Sequence, residues 1–109
     1  MLNAGNIAEA KTHFEACLKA DPNALGAMNG LARCLKAEGK TDEAVALWEQ
    51  LVKKSPGVNA GTAGLAQAYY EMKQYDKAIP FLEQIAAANP EDADAKRKLE
   101  AARKAAGKS

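Results

Sequence analysis

Pro22, Pro56 and Pro90 stand 34 residues apart, and other positions keep the same interval. Ala10, Ala44 and Ala78 share it, as do Leu31, Leu65 and Leu99, and Phe14, Trp48 and Leu82. A fixed period of this length means that one supersecondary unit is stacked on copies of itself, which constrains the fold more than any local propensity does. It constrains function as well. Stacked units offer extended surfaces to other chains, whereas enzymes gather a few reactive groups in a pocket.

The period holds a regular internal pattern. One copy runs Met28-x2-Leu31-Ala32-x2-Leu35, then Ala44-x3-Trp48, then Pro56; the next runs Thr62-x2-Leu65-Ala66-x2-Tyr69, then Ala78-x3-Leu82, then Pro90. Ala10-x3-Phe14 with Pro22 supplies the second half of a copy before them, and Leu99 keeps register after them. The pattern resembles the tetratricopeptide repeat, a helix–turn–helix unit of this length. That resemblance implies an all-α fold, a right-handed α-solenoid of six helices forming one domain over residues 1–109. Its parts are a half repeat (1–24), full repeats (25–58 and 59–92) and a C-terminal capping helix (93–109).

Helix bounds follow from apolar spacing at three and four residues. They are expected at about 6–20, 24–38, 41–54, 59–72, 76–88 and 92–106. Asp21, Ser55 and Asn89 each precede a proline of the 34-residue set, where a helix must stop. Thr41 reads as an N-cap, with Asp42 and Glu43 in the first turn where the helix dipole favours negative charge. Gly39 separates the second and third helices, but Lys73 holds the matching place in the next copy, so that turn must form without glycine. The fourth helix starts on weak helix formers, Gly61, Thr62 and Gly64. Pro80 lies off the period and removes the bond to the Asp76 carbonyl if it falls beyond the first turn. Leu31, Ala44, Val45, Leu47, Leu51 and Val52 are expected in the core, and Trp48 between the second and third helices and against the fourth.

A hydrophobic fraction of 48% with only 6% aromatic residues makes that core mostly Ala and Leu. Charge is nearly balanced at net +1, so the chain lacks the basic stripe of a nucleic-acid binder. Cys17 and Cys34 have neither zinc-finger nor CxxC spacing and fall at apolar positions of the period, which predicts buried free thiols. The start lacks the basic segment and apolar run of a signal peptide, and no stretch approaches the ~20 apolar residues of a membrane span. A cytoplasmic protein without membrane contact is expected.

His13 and Cys17, four apart on one helix, have the spacing of neighbouring metal ligands. His13 aligns with Leu47 and Phe81, however, so the pair is read as part of the apolar stripe; no metal or cofactor is expected. With one histidine, no Gly-rich phosphate loop and no nucleophile beside a base, no catalytic residue is assigned. Gly30 and Gly64 share one position inside helices. Each serves either close helix packing or a groove wall that a ligand backbone can approach.

The family resemblance implies that the first helix of each repeat lines a concave groove. Carried onto this chain, the lining is Asn29, Arg33 and Lys36, then Ala63, Gln67 and Tyr70, then Arg97, Lys98 and Lys104. The lining is net positive, so an acidic peptide or helix segment is the expected partner, with Tyr70 as aromatic anchor. Gly30 and Gly64 stand where the carboxylate-gripping subgroup carries asparagine, which argues against that clamp. Met1 falls 34 residues before Leu35, partway through a first helix. The face formed by Ile7, Ala10, Phe14, Cys17 and Leu18 is therefore expected to lack a covering helix, and a homodimer through this N-terminal helix would be the simplest closed solution. Alternatively the first residues, Met1–Ala4, fold back over it. The function expected is a non-catalytic protein-interaction module, with a self-association or spacer element of a longer protein as the alternative.

Overall fold

The computed structural model describes residues 4–57 and 59–107. Among them the chain forms helices and turns with no strand: α1 (Ala4–Ala20), α2 (Leu25–Ala37), α3 (Thr41–Lys54), α4 (Ala60–Glu71), α5 (Tyr75–Ala88) and α6 (Ala93–Ala105). Each lies within two residues of its expected bounds. Met1 and the residues proposed to fold back with it fall, apart from Ala4 in α1, outside the described residues. No helix among those described is long and apolar enough to cross a membrane.

Two compact units divide the chain, Met1–Ser55 and Pro56–Ser109. In the first, α2 packs on both α1 and α3; in the second, α5 packs on both α4 and α6. Alanine sets the closeness of both. Ala32, Ala44, Ala68, Ala78 and Ala102 have no exposed surface, and Cys34, Ala68 and Ala102 are the same position in three successive copies. A small side chain there lets neighbouring helices pack closely, and larger neighbours fill the seams. Met28, Leu35, Val45, Trp48 and Leu51 do so in the first unit, and Leu65, Tyr69, Ile79, Leu82 and Leu99 in the second.

Leu31 departs from its equivalents. Leu65 and Leu99 are buried, but Leu31 is only half-buried, as are Leu47 and Val52. Leu31 and Leu47 line a cleft of about 400 Å³ whose rim is made by Lys11, Glu15, Glu43 and Gln50, so packing there is incomplete. Cys34 is buried and free as expected; Cys17 is free but only partly buried.

The turns show what holds the period together. After α2, the Gly39 N–H reaches the Lys36 carbonyl at 3.0 Å and the Lys40 N–H reaches Leu35 at 2.8 Å. This is the Schellman arrangement, which needs a left-handed residue at its centre, and Gly39 supplies φ +87°. After α4 the same two bonds recur, Lys73 N–H to Tyr70 at 3.1 Å and Gln74 N–H to Tyr69 at 2.9 Å. There Lys73 itself adopts φ +62°. The turn expected to form without glycine is the glycine turn, made by a lysine.

Helix starts differ from expectation in two places. Thr41 is the first residue of α3, not its cap: Lys40 holds the cap position, its carbonyl accepts from the Ala44 N–H, and no side chain caps the helix. Glycine at 39 places Lys40 directly after the turn, which leaves Thr41 already helical. The weak formers opening α4 are offset by a capping box. The Asn59 side chain accepts from the Gly61 and Thr62 N–H groups at 2.8 and 3.3 Å, and the Asn59 N–H donates to Thr62 Oγ1. Thr62, fully buried, also donates to the Gly57 carbonyl at 2.8 Å, so every part of the box is fixed in place. In α5, Pro80 is the sixth residue, beyond the first turn, and the helix continues through it without that bond to Asp76.

Candidate functional site

In the second unit, α4 and α6 present a polar face over an apolar floor. Ala63 and Gln67 from α4, Leu82 and Ile85 from α5, and Asp94 and Lys98 from α6 line one cleft of about 160 Å³. Three expected groove residues, Ala63, Gln67 and Lys98, are thereby brought together. The floor exists because Leu82 occupies the aromatic position of its repeat and turns its side chain between the helices, 2% exposed.

The rim is a chain of charge-assisted hydrogen bonds. Gln67 Nε2 donates to Glu71 Oε2 at 2.6 Å, and Gln67 Oε1 accepts from Lys98 Nζ. Lys98 also pairs with Asp94 at 3.1 Å, and Arg97 donates to the same carboxylate at 2.6 Å. Hydrogen bonds from Lys98 and then Arg97 hold the Asp94 carboxyl below the usual aspartate range. Two of the basic residues that made the expected lining net positive thus share one acid. Asp94 was not among the expected site residues. Its spacing, four residues before Lys98, is the signal that identifies it, because such pairs meet on a helix face.

Tyr70, the expected aromatic anchor, is half-buried and meets Tyr75 edge-on, with ring centres 5.7 Å apart at 82°. The aromatic pair is thus split between α4 and α5. Lys104 is exposed near the end of α6, beside Arg103, which pairs across to Glu83 on α5 at 2.9 Å.

In the first unit the three α2 positions differ in what they do. Asn29 Oδ1 accepts the indole N–H of Trp48 at 2.9 Å, so this amide serves the core. Trp48 is 3% exposed and would otherwise bury an unpaired donor. Arg33 is exposed and borders a cleft of about 200 Å³ formed with Ala10, Phe14, Gly30 and Cys34. Lys36 is half-buried. Gly30 is closely packed and also borders the cleft beside Arg33. A Cβ built there would stand 2.4 Å from the tip of the Phe14 ring, far inside contact distance.

On α1, Ile7 is buried while Ala10, Phe14, Cys17 and Leu18 are half-buried. His13 is exposed, unlike its half-buried equivalents Leu47 and Phe81, so it does not belong to the apolar stripe in which the sequence placed it.

The sequence model described as Tetratricopeptide repeat matches residues 1–58 and again residues 35–102. Two solved structures of MamA mutants are similar. A "RS-1 ArsTM" double mutant superposes with a TM-score of 0.88 at 24% identity, covering 94% of this chain and 58% of that one. A second MamA mutant superposes with a TM-score of 0.84 at 26% identity, covering 96% of this chain and 61% of that one. The chain therefore spans about three-fifths of the length of these proteins. No curated protein matches the chain by sequence.

Proposed function

Because the chain belongs to the tetratricopeptide repeat family, a family of protein–protein interaction modules, we propose that it is a non-catalytic module that receives a peptide or helix segment on the face formed by α4 and α6. The observation that carries this reading is the convergence of Ala63, Gln67 and Lys98, from two helices, on one cleft. At about 160 Å³ the cleft falls below the roughly 300–1,000 Å³ of small-molecule sites. It suits one inserted side chain of a longer ligand, with Leu82 and Ile85 as the apolar base and Gln67 and Lys98 as the polar rim.

An acidic segment is the preferred partner. Lys104 offers positive charge, and Arg97 and Lys98 would add theirs by exchanging Asp94 for a ligand carboxylate. Such contacts act mainly on association rate and are screened by salt. Selecting peptides from a random library against the chain tests the reading. Selected sequences should be rich in Asp and Glu around one apolar residue, and Ala63→Trp, which fills the cleft, should abolish their binding. Retained binding in Ala63→Trp would remove α4 and α6 from the site.

A second reading, self-association through α1, is favoured by one observation: Ala10, Phe14 and Leu18 keep exposed apolar surface on a single helix face. Burying it would recover roughly 25 cal/mol per Å² against the entropy of association. Light scattering at rising concentration separates the readings, because Phe14→Glu would dissolve such a dimer and leave peptide binding by α4 and α6 intact.

A further inference from the structure

The one histidine of the chain stands beside one of its two cysteines, outside the face assigned above. His13 Nε2 and Cys17 Sγ are 3.7 Å apart, one turn of α1 from each other. That separation has a chemical meaning. Zinc-class ions bind imidazole nitrogen at about 2.0–2.1 Å and thiolate sulfur at about 2.3 Å, which at a tetrahedral angle places the two donors about 3.6 Å apart. The pair therefore already stands near the bite distance of a tetrahedral ion.

Three features of the surroundings agree. His13 is exposed and Cys17 half-buried, so an ion can reach both from solvent. The imidazole is steadied by the Phe14 ring, edge-on with centres 5.8 Å apart, which limits the rotamer freedom lost on binding. The equivalent pairs in the later copies, Leu47 with Leu51 and Phe81 with Ile85, are apolar, so the helical period does not call for a histidine and a thiol here.

We propose that His13 and Cys17 form a two-ligand chelate for a zinc-class divalent cation on the surface of α1. Imidazole with thiolate is a donor set that favours zinc and its neighbours over magnesium or calcium. On binding, the Cys17 S–H bond breaks, its proton leaves to solvent, and the sulfur lone pair and the Nε2 lone pair both go to the metal, with the ring proton kept on Nδ1. No group of three or more His, Cys, Asp or Glu residues is assembled among the described residues, so the remaining positions fall to water or to the same pair from a second copy.

Titrating Co²⁺ into the reduced protein tests this, since a thiolate-bound tetrahedral cobalt ion gives a near-ultraviolet charge-transfer band and visible d–d bands. The bands should appear, disappear when Zn²⁺ is added, and persist in Cys34→Ala. His13→Ala and Cys17→Ser should each weaken binding by more than the roughly tenfold loss typical of a missing supporting partner, with the helical circular dichroism unchanged. One ion per chain assigns the other positions to water, one ion per two chains assigns them to a second copy, and either stoichiometry supports the chelate. Absence of the bands, or bands that survive in Cys17→Ser, overturns it.

Discussion

Lys73 repeats at φ +62° the left-handed turn that Gly39 makes at φ +87°, with the same pair of backbone hydrogen bonds closing each. A side chain in that conformation crowds its Cβ against the following carbonyl, at a cost of roughly 1–2 kcal/mol that glycine avoids. Lys73→Gly should therefore stabilise the protein by about 1 kcal/mol, part of the gain being lost to the greater freedom of glycine in the unfolded chain. The measurement is a rise in urea midpoint at unchanged m value. A fall would mean that the lysine side chain contributes more than its backbone costs.

Gly30 and Phe14 form a coupled pair. Alanine ordinarily gains about 1 kcal/mol over glycine inside a helix. At position 30 that gain meets the Phe14 ring, whose tip must swing away from a Cβ only 2.4 Å distant. Gly30→Ala alone should bring no stabilisation, whereas in a Phe14→Ala background it should bring about 1 kcal/mol. A double-mutant cycle reads the coupling directly, and additivity of the two changes would show that the ring moves aside at no cost.

Trp48 and Asn29 make the corresponding prediction for the core of the first unit. Trp48→Ala should cost on the order of 3–5 kcal/mol, as truncation of a buried large aromatic does. Asn29→Leu keeps the bulk but strands the indole N–H, and should cost about 1–3 kcal/mol. Trp48→Phe, which removes donor and partner need together, should lie below Trp48→Ala. Equilibrium unfolding of the three variants gives the order, and a loss under about 1 kcal/mol for Trp48→Ala would contradict the packing.

The helices were legible because their signals are local and repeated three times. Proline follows the ends of α1, α3 and α5, alanine marks most of the close approaches, and the 34-residue interval ties them together. What escaped depended on contacts that periodicity does not encode. The Asn59 box was hidden because its partner is a threonine where a capping box usually carries Glu or Gln. Thr41 was misread as a cap because a Thr before two acids fits that role, yet the Gly39 turn had already placed the cap at Lys40. Asp94 lies outside the expected lining because the net charge of a groove does not say which charges pair on one helix face. His13 was assigned to the stripe by alignment alone, though its side chain is exposed.

Asp94 yields a prediction with two independent readouts. Its carboxyl is held below the usual aspartate range by hydrogen bonds from Lys98 and then Arg97. A depressed carboxylate contributes stability that is present above the unfolded value of about 3.9 and is lost as pH falls through the lower folded value. Asp94→Asn should therefore differ from the parent near neutral pH and converge on it in acid, once pH falls below the lowered folded value. The effect is small because the pair is exposed. The second readout is opposite in sign. With the Asp94 charge removed, Arg97 and Lys98 lose their shared counter-ion, so Asp94→Asn should bind an acidic peptide more tightly and with a steeper dependence on salt. Titration calorimetry with a selected acidic peptide at low and high salt measures both quantities. Equal affinity in the variant and the parent would mean that neither cation meets the ligand, and would move the site away from α6.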